Sequence, residues 1–179
     1  TEFKIISKPK EFNKIYDRLD VKFDPARGDT ELGESFYVSQ DKISAVTDAL
    51  RAKNLLKDSE GARVVFFGGN DSKKWDMPPL IIEKSDGTSI YATRDLAADL
   101  YRLQTYGKND DKSAGLTVIT EVGSEQTLYF KQLFETERLL GWFAPGERVC
   151  VLHGLYRFAD GKMSTRKGKV IWLEDILDE

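Results

Sequence analysis

The stretch Asp160-Gly161-Lys162-Met163-Ser164-Thr165-Arg166-Lys167-Gly168-Lys169 concentrates groups that bind phosphate. Between Lys162 and Lys169 it carries four positive charges, no acid and an adjacent Ser/Thr pair, with a glycine near each end. Lys and Arg neutralise phosphate oxygens, while hydroxyls and backbone N–H groups add hydrogen bonds, so a loop of this kind can wrap a polyphosphate. Composition alone favours an ordinary solvated basic loop. A second segment, Tyr91-Ala92-Thr93-Arg94-Asp95-Leu96, reads as a strand passing into a helix. In open α/β sheets ligands bind at such junctions. Asp95 falls in the helix's first turn, where a carboxylate also serves simply as a dipole partner. A third, Ser124 to Gln132 (SEQTLYFKQ), again follows a strand. His153-Gly154 lies within the strand-like run that leads to the basic loop.

Several familiar chemistries are missing. No Gly-x-Gly-x-x-Gly, Gly-x-x-x-x-Gly-Lys-Ser/Thr or Gly-x-Ser-x-Gly occurs, which leaves dinucleotide, P-loop and hydrolase-elbow readings unsupported. One histidine cannot form a His-x-x-x-His zinc site, and one cysteine, Cys150, cannot form an internal disulfide. No metal-ligand pattern is visible.

The elements that must position these groups follow from periodicity. Phe12, Ile15, Tyr16 and Leu19 have helical spacing within 9–19, and Ile43, Val46, Leu50 and Leu55 within 40–57. Arg63 to Phe67 is β-branched and aromatic, hence a strand, and Gly68 to Pro79 is a loop. LIIEKS and TSIYAT, joined by Asp86-Gly87, read as a hairpin in which both turn residues take positive φ. Leu96, Leu100, Leu103 and Tyr106 mark the next helix. Leu116 to Glu121 is a strand, Ser124 to Leu140 a helix closed by Gly141, and Arg148 to Phe158 strand-like. Strands alternating with helices predict an α/β fold with a mostly parallel sheet and the hairpin inserted at an edge, residues 61–93 being the β-rich region.

Bulk properties agree. Hydrophobic residues make up 40% and aromatics 11% of 179 residues, enough for a core. With 27 basic and 30 acidic residues the net charge is −3, which excludes a polybasic DNA-coating protein. No long apolar run and no signal-like N-terminus occur, so a cytoplasmic location and no membrane partner are expected.

The string Lys162-Met163-Ser164-Thr165-Arg166-Lys167-Gly168 resembles KMSK, the second signature of class I aminoacyl-tRNA synthetases, in its arginyl-tRNA synthetase form. IYDRLDVKFD, ESFYVSQDKI, PLIIEKSDGTSIYATRDLA and the Ser124 to Gln132 segment match the same family in order. The resemblance implies the second half of a Rossmann-like (HUP-type) catalytic domain. It implies that Lys162, Ser164, Arg166 and Lys167 stabilise the pyrophosphate part of ATP, with His153, Gly154, Lys162, Met163 and Ser164 contacting ATP. Thr165 stands in place of the signature's second Lys, which leaves either Arg166 or Lys167 to supply that charge. It further implies that Tyr91, Asp95 and Gln126 hold the guanidinium of arginine, a group that a carboxylate reads with two parallel acceptors. Tyr129 occupies a position where many members carry His.

The implied reaction joins L-arginine to ATP as arginyl-adenylate and then transfers it to tRNA(Arg). Mg²⁺ would accompany ATP, with no tightly bound cofactor and a monomeric parent. The first signature, HIGH, needs two histidines and cannot lie in a chain with one, so its half is expected upstream and an anticodon-binding domain downstream. Residues 160–179 would hold the signature loop and the helix after it. The rival expectation is a non-catalytic binding or regulatory module on the synthetase fold.

Overall fold

The computed structural model describes residues 9–22, 36–37, 39–68, 77–107, 116–155, 157–158, 161–162 and 171–179. For residues 9–11, 40, 157–158 and 161–162 it describes the backbone alone. In chain order the elements are helix α1 (Pro9–Arg18), helix α2 (Gln40–Ala52), strands β1 (Leu56–Ser59), β2 (Ala62–Val65) and β3 (Leu80–Glu83), helix α3 (Tyr91–Tyr106), strand β4 (Val118–Gly123), a 3₁₀ turn (Ser124–Gln126), helix α4 (Thr127–Leu140), strands β5 (Arg148–His153), β6 (Arg157–Phe158) and β7 (Gly161–Lys162), and helix α5 (Leu173–Asp178). They fall into two compact units, one of residues 30–155 and one joining 1–29 to 156–179.

In the larger unit the fold is α/β, with its described strands divided between two sheets. β4 and β5 pair in parallel from Val118↔Arg148 to Gly123↔His153. β1, β2 and β3 form a separate antiparallel sheet in that order. The core gathers Val46 and Leu50 of α2, Val65 of β2, Leu80 and Ile82 of β3, Leu96 of α3 and Leu133 and Leu140 of α4. Fully burying a side chain of this size contributes roughly 1.5–3 kcal/mol. Thr93 is buried and donates its hydroxyl hydrogen bond to the carbonyl of Ile82, which fixes the first turn of α3 on β3.

Three local readings need correction. The apolar stripe placed Leu55 in helix α2, yet the helix stops at Ala52. Asn54 takes φ 55°, its N–H bonds to the carbonyl of Arg51 at 2.9 Å, and Leu55 N–H bonds to that of Leu50 at 2.9 Å. This is a Schellman closure, which Asn tolerates because its short polar side chain accepts left-handed backbone. The two-residue hairpin lies elsewhere than expected, at Glu60-Gly61 between β1 and β2, with φ 50° and 83°. At Asp86-Gly87 only the glycine has positive φ, 81°. Asp86 instead accepts from the Thr88 N–H at 2.9 Å and the Thr88 hydroxyl at 2.6 Å. Its side chain thereby mimics a backbone turn. The expected second strand shrinks to one bridge, Glu83↔Ser89, and α3 starts at Tyr91.

In the smaller unit, Arg18 at the end of α1 pairs with Asp178 at 2.7 Å and donates to the carbonyl of Leu177 at 2.6 Å. A guanidinium there compensates the carbonyl-rich end of α5. β6 and β7 pair antiparallel, Arg157↔Lys162 and Phe158↔Gly161. Among the described residues no helix is long and apolar enough to cross a membrane.

Candidate functional site

Helices α3 and α4 carry the acids and donors of the larger unit. Residues four apart lie on one helix face, so Tyr91, Asp95 and Asp99 rise in a row along α3. α4 starts immediately after the C-terminal end of β4 and its short 3₁₀ turn. Near that start the Tyr129 hydroxyl donates a hydrogen bond to Oδ2 of Asp95. Burial and the Asp95 carboxylate together push the Tyr129 phenol well above its ordinary range, so it remains a donor at any working pH.

Asp99 has a different set of partners, drawn from the opposite end of the strands. It accepts from Arg102 at 2.6 Å and from Arg148 at 2.8 Å, and Arg148 opens β5 opposite Val118, the first residue of β4. The Nε of Arg148 also lies 2.7 Å from Glu137 of α4, a charge contact without hydrogen-bond alignment. Arg148 packs against the rings of Phe134 and Phe143, 4.2 and 5.2 Å from their centroids. Glu137 is fully buried, and its carboxyl is raised above the ordinary carboxylate value. Loss of water is the largest cause, followed by hydrogen bonding to and repulsion by Asp99, against the pull of Arg148. Asp99 itself is only 2% exposed. Its partners are other side chains of the protein rather than solvent. The two carboxylates on one face of α3 are sorted by strand end: Asp95 meets α4 where it leaves β4, and Asp99 meets the arginine at the start of β5.

A cleft of about 360 Å³ opens beside them, lined by Asp95, Asp99, Arg102, Glu121, Phe130 and Arg148 among others. Of the residues expected to hold a guanidinium, Asp95 lines this cleft. Tyr91 is 73% exposed at the first turn of α3, and Gln126 is exposed at the end of the 3₁₀ turn; both lie outside the cleft lining. Gln126 follows Gly123 by three residues, and Gly123 pairs with His153. The C-terminal edge of the parallel strands thus brings Gln126 near the His153-Gly154 segment, the edge where open α/β sheets bind ligands. His153 is exposed, with Nδ1 2.8 Å from the Gly154 carbonyl.

Lys162 lies in β7 of the smaller unit. Met163, Ser164, Arg166 and Lys167 fall outside the described residues, as does Thr165. The Arg148, Glu137 and Asp99 cluster escaped sequence reading. Its members lie on three different elements, with Arg148 and Asp99 49 residues apart, and no local pattern joins them. Among the described residues no group of three or more His, Cys, Asp or Glu is arranged to hold a metal ion.

Residues 3–179 match the family described as tRNA synthetases class I (R), catalytic domain. The chain is similar to the arginine–tRNA ligase of Clostridium acetobutylicum, 48% identical over 179 residues, which are all of this chain and 28% of that protein. It is likewise similar to the arginine–tRNA ligase of Clostridium perfringens, 48% identical over 95% of this chain and 27% of that protein. The chain thus spans little more than a quarter of these curated relatives. The crystal structure of an arginyl-tRNA synthetase from Plasmodium falciparum aligns with a TM-score of 0.62 and 28% identity, covering 83% of this chain and 23% of that one. A structure described as a putative arginyl-tRNA synthetase from Campylobacter jejuni, at 19% identity and TM-score 0.56, shares the fold. On a family match that runs through nearly its whole length, the chain belongs to the class I (R) tRNA synthetase catalytic-domain family.

Proposed function

We propose that this chain supplies the arginine-recognition and pyrophosphate-stabilising part of an arginine–tRNA ligase, which activates L-arginine with ATP and transfers it to tRNA(Arg). The observation that carries the reading is Asp95. Its carboxylate sits one turn into α3, lines a cleft, and is held by a neutral phenol from α4. A positioned carboxylate in a half-enclosed site is the natural acceptor for a guanidinium. Tyr91, one turn before it, and Gln126, at the edge of the parallel strands, would complete the amino-acid site. His153 and Gly154 at that same edge would contact ATP, and Lys162, Met163, Ser164, Arg166 and Lys167 would hold its phosphates. Catalysis in such a site consists of positioning and of stabilising charge on the phosphoryl oxygens.

Mg²⁺ would come with ATP, since this ion keeps several waters and binds through substrate phosphates with one or two carboxylates. We read the parent as a cytoplasmic monomer that carries the HIGH-bearing half of the sheet in another segment. The exposure of Val149, Val151 and Leu152 on β5 supports further packing on that strand, because parallel strands are normally covered on both faces.

The test is Asp95→Asn in the full-length enzyme, which keeps the shape and removes the charge and one acceptor. Arginine affinity should fall by roughly 30-fold to several thousand-fold, corresponding to about 2–5 kcal/mol. Asp48→Asn, on the exposed side of α2, serves as the control. Arginine affinity within about twofold of wild type for Asp95→Asn would remove this residue from the site and leave the reading on the signature loop alone.

A further inference from the structure

Tyr129 is not among the residues assigned to a substrate above, yet it makes the contact that defines the Asp95 carboxylate. Its hydroxyl donates to Oδ2 of Asp95 across 34 residues of chain, joining the second turn of α3 to the first turn of α4. The ring is fixed from the other side. It packs edge-on against Phe130 at 5.0 Å, and Phe130 packs against Phe134 at 5.8 Å. Phe130 also lines the cleft that Asp95 lines.

An ionised carboxylate offers about four acceptor positions, two on each oxygen. A phenol donating to one position of Oδ2 holds the carboxylate in one orientation. Fixing one oxygen also removes the rotation about χ2 that would otherwise be lost on ligand binding. The Arg102 and Arg148 guanidiniums are directed to Asp99, one turn further along. We propose that Tyr129 is a positioning residue for the guanidinium site, orienting the Asp95 carboxylate through its hydroxyl rather than touching the substrate. The inference rests on the reading of Asp95 as the guanidinium acceptor.

The experiment uses the full-length enzyme in four forms: wild type, Tyr129→Phe, Asp95→Asn and the double variant. Arginine KM, ATP KM and kcat are measured by arginine-dependent ATP–pyrophosphate exchange, and melting temperatures are recorded. Tyr129→Phe keeps the ring stack and removes one hydroxyl. Arginine KM should rise about 5- to 20-fold, the loss of a hydrogen bond to a charged group acting at one remove, while ATP KM stays within about twofold. In the Asp95→Asn background the same change should alter arginine KM by less than about twofold, because two residues that act through one carboxylate are not additive. A full additional rise in the double variant would overturn the proposal, since Tyr129 would then act independently of Asp95. So would an unchanged arginine KM in Tyr129→Phe while Asp95→Asn is impaired. Equal damage to both KM values and kcat, with a fall in melting temperature, would make Tyr129 a packing residue and also overturn it. If Asp95→Asn and Tyr129→Phe are both silent, the reading of Asp95 fails first and this inference falls with it.

Discussion

Single residues with left-handed backbone end three of the helices, α1 at Asp20, α2 at Asn54 and α4 at Gly141, and they set sharp tests of local energetics. Gly141 closes α4 with φ 76°, its N–H bonding to the Arg138 carbonyl at 3.0 Å and the Trp142 N–H to that of Glu137 at 3.1 Å. A Cβ there would meet no atom within 4 Å, so any cost of Gly141→Ala is backbone strain alone. The expected loss is about 1–2 kcal/mol, the penalty of left-handed backbone for an L side chain. Gly154 also has open surroundings but lacks positive φ. Gly154→Ala should therefore change stability by less than about 0.5 kcal/mol. Equilibrium denaturation of both variants decides the point; equal losses would refute the backbone explanation. The closure by Gly141 was readable from the sequence, because a glycine after an apolar helical stripe has few other uses. The closure of α2 by Asn54 was not, since Leu55 continues the stripe and masks the stop.

Between elements, the buried cluster of Asp99, Glu137 and Arg148 ties α3, α4 and β5 together. Two carboxylates meet one buried guanidinium, with Arg102 as a half-exposed second cation. Burial and the neighbouring Asp99 raise the Glu137 carboxyl above its ordinary value. Its folded value lies above the ordinary 4.5, so the folded state binds a proton that the unfolded chain has released. By linkage this group's contribution is fully present below about pH 4.5 and is lost as pH rises through the raised value. Glu137→Gln keeps a hydrogen-bonding neutral side chain and removes the titration. We expect its stability to depend less on pH than wild type from about pH 5 upward, with the variant relatively more stable at the alkaline end. Denaturation midpoints across that range check the sign. A wild type that becomes steadily more stable with rising pH, by more than the variant does, would show that Glu137 is ionised and stabilised by Arg148 instead.

At the scale of the molecule, one histidine in 179 residues cannot form a two-histidine signature. The chain also covers 28% of a relative with which it shares 48% identity. These 179 residues alone are therefore expected to show no arginine-dependent ATP–pyrophosphate exchange. Removing one set of transition-state donors typically costs about 10²–10³-fold, and a whole signature lies outside this stretch. Exchange at a rate near that of the C. acetobutylicum ligase would show that the stretch carries a complete catalytic apparatus. The same assay separates a catalytic part from a non-catalytic module. Adding this chain's Lys162→Ala change to the full-length enzyme should abolish most exchange if its lysine meets phosphate, and should leave it intact in a module with another role.

What the sequence determined by itself is local or collinear. The KMSTRKG string, the Tyr91 to Leu96 segment, the helical stripes and the turn to α/β architecture are all carried by neighbours within a few residues. Such signals survive because capping, periodicity and motif chemistry act over one or two turns. What only the tertiary structure decided is which charge meets which. Asp95 and Asp99 look alike in sequence, four residues apart on one helix, and the helix itself cannot distinguish them. One receives a phenol from residue 129 and the other a guanidinium from residue 148. Similarly, Asp86-Gly87 carries the stronger hairpin signal, but Glu60-Gly61 forms the two-residue turn. The reason is that strand partners, not turn residues, determine where pairing pays back its entropy. β1 finds a partner in β2 along four residues, whereas the segment after Gly87 is drawn into α3, whose Leu96 and Ala97 bury in the core. Long-range partner choice depends on the chain returning to itself, and no window of sequence contains that return.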